Sequence, residues 1–129
     1  MAADQGIAVA PYSPLGGGLL TGKYAGGTGG GRIVDNEMYA KRYAPGWMHA
    51  AAADLAALAR EAGHDPATLA VAWVAAHPSV TAPIVSARSV GQLRPSLAAA
   101  DLVLDGALKA RLDALAPAPP PATDRLEEA

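Results

Sequence analysis

The residues best suited to chemistry lie near the start of the chain. Tyr12 and Ser13 are followed by Gly16, Gly17 and Gly18, and Lys23 comes shortly after. Before them runs Gly6-Ile7-Ala8-Val9-Ala10-Pro11, a short apolar stretch of the kind that forms a buried parallel strand. Glycines after such a strand let the backbone approach a ligand and expose its N–H groups. A loop at the C-terminal end of a strand is where an α/β enzyme holds an anionic cofactor. Other chemistry is poorly supported. His49, His64 and His77 have no metal-like spacing and read as helix-end or surface residues. Asp54, Glu61, Asp101 and Asp105 are scattered, with no pair placed for acid–base work. With no cysteine there is no thiol nucleophile, disulfide or thiolate metal site, which fits a reducing compartment.

The surrounding pattern sets the elements that carry these residues. Ile7–Tyr12 and Val80–Val85 read as strands, and Gly16–Arg32 as loop, its Gly26–Gly31 run mobile. Glu37–Arg42 reads as a short helical turn broken by Pro45-Gly46. Alanine-rich spacing predicts a helix from about Trp47 to Ala62, ended by Gly63. Asp65 caps a second helix, with Pro66 in its first turn, that closes at His77-Pro78; Leu69, Trp73 and Ala76 lie along one of its faces. Ser89 caps a third helix running towards Ala99, with Pro95 inside it. A last helix spans roughly Asp105 to Leu115. Residues 1–116 are expected to form the folded part, and 117–129 a proline-rich, solvated tail.

Two motifs, in this order, are similar to the last two strand–helix units of the aldo-keto reductases. The first is Tyr12-Ser13-Pro14-Leu15-Gly16-x-Gly18-x-Leu20-x-Gly22-Lys23, and the second is Ala82-Pro83-Ile84-Val85-Ser86-Ala87-Arg88-Ser89-Val90-Gly91-Gln92-Leu93. The resemblance implies an α/β fold: part of a (β/α)₈ (TIM) barrel, two parallel strands with surrounding helices. It implies NADP(H) as cofactor. Tyr12 matches the aromatic residue that stacks on the nicotinamide. Ser13, Pro14, Leu15, Gly16, Gly17 and Lys23 match positions around the diphosphate, where a hydroxyl, N–H groups and an ammonium suit phosphate oxygens. Ser86, Arg88 and Gln92 match positions at the adenosine 2′-phosphate, and a guanidinium there favours NADP over NAD. The chain departs from the family at Ser86, where glycine is usual. It departs again at Pro95-Ser96, where a Glu-Asn pair usually holds the adenine. Ser96 can donate one hydrogen bond there, so adenine affinity is expected to be reduced.

In that family a tyrosine protonates the substrate oxygen, a lysine and an aspartate tune it, and a histidine orients the substrate. None of these four is expected in this chain, so no residue is assigned a catalytic role. A closed barrel needs roughly 250 residues, and the chain has 129. The pattern allows two readings: a cofactor-binding part of an oxidoreductase, acting on a small carbonyl substrate only when completed, and a non-catalytic interaction module. Open strand edges suit a second copy or a complementary barrel fragment as partner. A net charge of −2 gives no case for nucleic acid or an anionic membrane. No apolar run approaches the roughly 20 residues of a membrane span. The start Met1-Ala2-Ala3-Asp4-Gln5 lacks a signal-type pattern, so a cytoplasmic location is expected.

Overall fold

Alanine and leucine set the packing. The computed structural model describes residues 1–24 and 30–118. Its helices are α1 (Arg32–Asp35), α2 (Glu37–Arg42), α3 (Gly46–Ala62), α4 (Pro66–Ala75), α5 (Val90–Ala98) and α6 (Gly106–Asp113). Tight 3₁₀ turns cover Gly16–Thr21 and Ala99–Asp101. Every residue of α4 from Ala67 to Ala72 is buried, as in a helix enclosed on all sides. Trp73 and Ala76, at the end of the same helix, are exposed. The main core joins Leu55, Leu58 and Ala59 of α3 to Leu69 and Ala70 of α4 and Leu112 of α6. Leu69 and Ala59 are completely inaccessible to solvent.

Local chemistry fixes the helix ends. Gly63 has φ +73°, and the Gly63 and His64 N–H groups bond the Arg60 and Ala59 carbonyls, the paired pattern of a left-handed helix end. Asp65 accepts from the Ala67 N–H at 2.8 Å, and Asp105 from the Leu108 N–H at 2.7 Å. Ser89 accepts from the Gln92 N–H at 3.3 Å. Pro95 stands in the second turn of α5 and removes a helix donor. Its carbonyl accepts a 2.7 Å hydrogen bond from the Thr68 hydroxyl, which ties α5 to α4.

Polar contacts hold α6 in place. Arg111 donates both guanidinium arms to Glu61 of α3, at 2.8 and 2.5 Å. Asp113 accepts from the Trp73 indole and from Lys109, each at 2.7 Å. The Arg111 hydrogen bonds, and then its charge, hold the Glu61 carboxyl below the ordinary glutamate value. Asp113 is likewise lowered, first by Lys109 and then by the Trp73 N–H.

The two expected strands are shorter than predicted. Among the described residues the only β pairing is one parallel bridge, Tyr12 to Ile84. Around it, Val9 and Pro11 carbonyls accept from the Thr81 and Ile84 N–H groups at 2.8 Å, and the Val9 N–H donates to the Thr81 hydroxyl at 3.0 Å. Pro11 and Pro83 remove donors from the ladder, and a lone pair of strands lacks the neighbours that make a sheet. The run is also not covered on both faces: Ile7, Tyr12 and Ile84 are more than half exposed. Gly16–Arg32 contains the 3₁₀ turn, and α1 starts at its end. Of the glycine run expected to be mobile, Gly26–Gly29 lie outside the described residues, as do 119–129 of the tail; Gly31 is buried.

Two outcomes test this packing. Leu69→Ala should cost about 2–5 kcal/mol in urea unfolding, whereas Val103→Ala, at a 91% exposed position, should change little. Because Glu61 and Asp113 have lowered values in the folded chain, their stabilisation is complete above the unfolded carboxylate values. It is lost as acid titrates through the folded ones. The urea midpoint should therefore fall in acid, and Glu61→Gln should flatten that fall.

Candidate cofactor site

The site is built on left-handed backbone. Gly16, Gly17 and Gly18 have φ of +55°, +65° and +96°, and Ser13 adopts +58° without being glycine. Residues other than glycine rarely adopt such angles in succession. The turn is closed by the Gly16 N–H on the Ser13 carbonyl and the Gly18 and Leu20 N–H groups on Leu15. Leu15 points inward and packs against both the α3–α4–α6 core and the cluster of Val71, Ala72 and Ala99. It thereby anchors the turn and offers a ligand only its backbone.

Space as well as dihedral angle requires glycine here. A Cβ on Gly17 would lie 3.0 Å from the Tyr39 ring and 3.1 Å from that of Tyr43. These two rings stack with centroids 6.2 Å apart. The Arg32 and Arg42 guanidinium groups lie 5.4 and 5.9 Å from the Tyr39 centroid. Sequence reasoning misses this gathering of cations beside the glycine turn. Its only sequence signal is the i, i+3 spacing of Tyr39 and Arg42, while Arg32 arrives through α1. Lys23 is exposed, and its ammonium rests 4.6 Å from the Tyr24 ring centroid. It also lies 3.3 Å from where a Gly18 Cβ would be. The Tyr24 hydroxyl accepts from the Ile33 N–H of α1 at 3.3 Å.

The Tyr12–Ile84 bridge sets the first block beside the second. Because the bridge is parallel, Ser13 and Ser86 both follow it at the same end of the paired segments. Tyr12 is 75% exposed, and Ser13, Ser86, Arg88 and Gln92 are exposed too. The Gln92 side-chain carbonyl accepts from the Arg88 N–H at 3.2 Å, so half of its amide serves its own helix start. Ser96 stands apart from the others. It is buried, 5% exposed, next to the Pro95 carbonyl that Thr68 occupies. An exposed ring, a free hydroxyl and two cations fit a nicotinamide and phosphate groups. The Pro95-Ser96 position presents no open polar group of the kind an adenine needs.

Elsewhere the chemistry is structural. The His49 ring bonds the Tyr43 carbonyl at 2.8 Å, and His77 Nδ1 accepts from the Ser79 N–H at 3.2 Å. Among the described residues no group of acidic and histidine side chains could hold a metal, and no helix is long and apolar enough to cross a membrane. An apolar cavity of about 370 Å³ lies between α3, α4 and α6, and none of the candidate site residues lines it.

Comparison with known proteins bears on this arrangement. The chain is 34% identical over 118 residues to an uncharacterized oxidoreductase, YrpG, of Bacillus subtilis, covering 92% of this chain and 35% of that protein. It is 32% identical over 115 residues to Protein tas of Escherichia coli, covering 86% and 32%. It is 33% identical over 111 residues to an aldo-keto reductase of Babesia bovis, covering 78% and 39%. The chain thus spans about a third of the length of the curated relatives it matches. The model of the Aldo/keto reductase family matches residues 1–117. With a glycine turn and a paired second block in the order the two motifs require, the chain belongs to the aldo/keto reductase family.

Proposed function

We propose that this chain is the cofactor-binding part of an NADP(H)-dependent carbonyl reductase. In this reading residues 1–116 supply two strand–helix units of a (β/α)₈ barrel, and 117–129 form a tail. The observation that carries it is the parallel Tyr12–Ile84 bridge, beyond which both cofactor blocks follow at one end. Barrel enzymes place their sites at that end of the strands. When bound, NADP(H) supplies the hydride that reduces a small aldehyde or ketone.

The chain's own residues divide the binding work. The exposed Tyr12 ring offers an apolar face to the nicotinamide. The Ser13 hydroxyl, the Leu15–Gly17 backbone and the Lys23 ammonium serve the diphosphate, with Pro14 shaping the turn between them. Arg88, with Ser86 and the free half of the Gln92 amide, serves the 2′-phosphate. Ser96 contributes little while it stays buried.

Proton delivery falls to residues outside this set. Tyr24, Tyr39 and Tyr43 stand after the first motif and match none of the four catalytic positions of the family. General acid catalysis typically contributes about 10²–10⁴-fold, so the chain by itself should be inactive. The exposure of Ile7, Tyr12 and Ile84 favours a second, complementary reading. Their uncovered apolar face is a surface for association with another copy or with the remainder of a barrel.

Three measurements check these readings. In calorimetry NADP should bind more tightly than NAD. Arg88→Ala should remove that preference, worth roughly 1.5–3 kcal/mol for a charge-assisted bond; equal affinities in the parent chain would remove Arg88 from the site. With NADPH and a reactive aldehyde, the chain alone should show no turnover, and a rate above about 1 per second would overturn the division of labour. In sedimentation the isolated chain should self-associate and melt broadly, an outcome that a cooperative monomer at micromolar concentration would contradict.

A further inference from the structure

Thr68 is the one polar side chain in the buried run Ala67–Ala72 of α4, and it is 6% exposed. A buried hydroxyl is costly unless it is bonded. Its bond leaves α4 altogether: it donates to the Pro95 carbonyl of α5 at 2.7 Å. That carbonyl is open because α5 tightens at its end. In a regular α-helix the Ala99 N–H would reach Pro95, but here it bonds the Ser96 carbonyl. Thr68 takes up the acceptor that the helix leaves over.

Little else locates α5. Within it only Ser96 is buried, while Val90 and Leu97 are 70% and 56% exposed. Ala99, just beyond it, is buried with Val71 and Ala72 and anchors the far end. One anchored end leaves a helix free to swing, since apolar burial is non-directional. The Thr68 bond adds a second, directional point. The start of the helix moves as one piece: Ser89 accepts from the Gln92 N–H at 3.3 Å, and the Gln92 side chain accepts from the Arg88 N–H at 3.2 Å. Arg88 lies farther along the chain from Ala99 than Pro95 does, so any swing is largest there. A guanidinium–phosphate hydrogen bond is lost within roughly 1 Å of displacement.

We infer that Thr68 is a positioning residue of the cofactor site. Through the Pro95 carbonyl it sets the direction of α5 and so holds Arg88 and Gln92 against the 2′-phosphate. This rests on the NADP(H) reading above and assigns part of the choice between NADP and NAD to a side chain buried away from both.

Calorimetry of the full chain with NADP and with NAD tests this. Thr68→Val keeps the side-chain shape and removes the donor, Thr68→Ala removes it in a smaller residue, and Thr68→Ser retains it. The first two should each lower the NADP-over-NAD affinity ratio about fivefold or more, the scale of one lost buried hydrogen bond. Thr68→Ser should keep the parent ratio. Partial unfolding cannot imitate this result, because it weakens both cofactors by the same factor. In an Arg88→Ala chain, Thr68→Val should leave the ratio where it is, because the group that Thr68 positions is gone. A parent ratio that survives Thr68→Val and Thr68→Ala would overturn this inference alone. So would a ratio that falls as far in Thr68→Ser, or one that falls further in the Arg88→Ala chain. Equal affinities in the parent chain would overturn the NADP(H) reading and this inference together.

Discussion

The left-handed run at Gly16–Gly18 is the constraint on which the N-terminal half depends. It reverses the chain in the space of a few residues, and only glycine takes that path at low cost. The reversal allows Leu15 to enter the core while Ser13 stays exposed. It also brings the Tyr39 and Tyr43 rings against the Gly17 backbone. One conformational requirement thus fixes an anchor, a lining of aromatic rings and an exposed backbone edge together.

The helical half is held differently. Ala52, Ala59, Ala67, Ala70, Ala72 and Ala99 are all buried, and small side chains let helices approach closely but remove little area from water each. Leucine supplies the rest of the core, and polar links do the aligning: Thr68 to Pro95, Arg111 to Glu61, Trp73 to Asp113. The surface ion pairs are exposed and individually weak. Their value lies in fixing how α6 meets α3 and α4.

The helix ends are the most legible part of the sequence, because a cap is written in one or two residues. Asp65, Ser89, Asp105 and Gly63 all act as their types suggest, and α3 begins one residue before the expected start. The glycine turn is legible for the same reason. The extended segments are not, since pairing depends on how many neighbours a strand has, and no single segment states that. Ser96 reads in sequence as an accessible donor, but its burial follows from α5 docking on Thr68, whose bond to Pro95 spans 27 residues of sequence. The Arg32 position depends on α1, a four-residue helix with no side-chain cap to announce it.

The paired segments are fastened unevenly. Val9 engages Thr81 through backbone and hydroxyl in both directions, and also meets the Ala82 N–H, while at the other end the Ile84 N–H donates to the Pro11 carbonyl beside the Tyr12–Ile84 bridge. Fraying therefore begins at the end nearer the loops, and zipping begins at the other. Amide exchange should grade along the pair accordingly, slow at Thr81 and faster at Ile84. A ligand held between the two loops would bear on the least secured part of the pairing, so that its binding would be felt as a tightening of the whole pair.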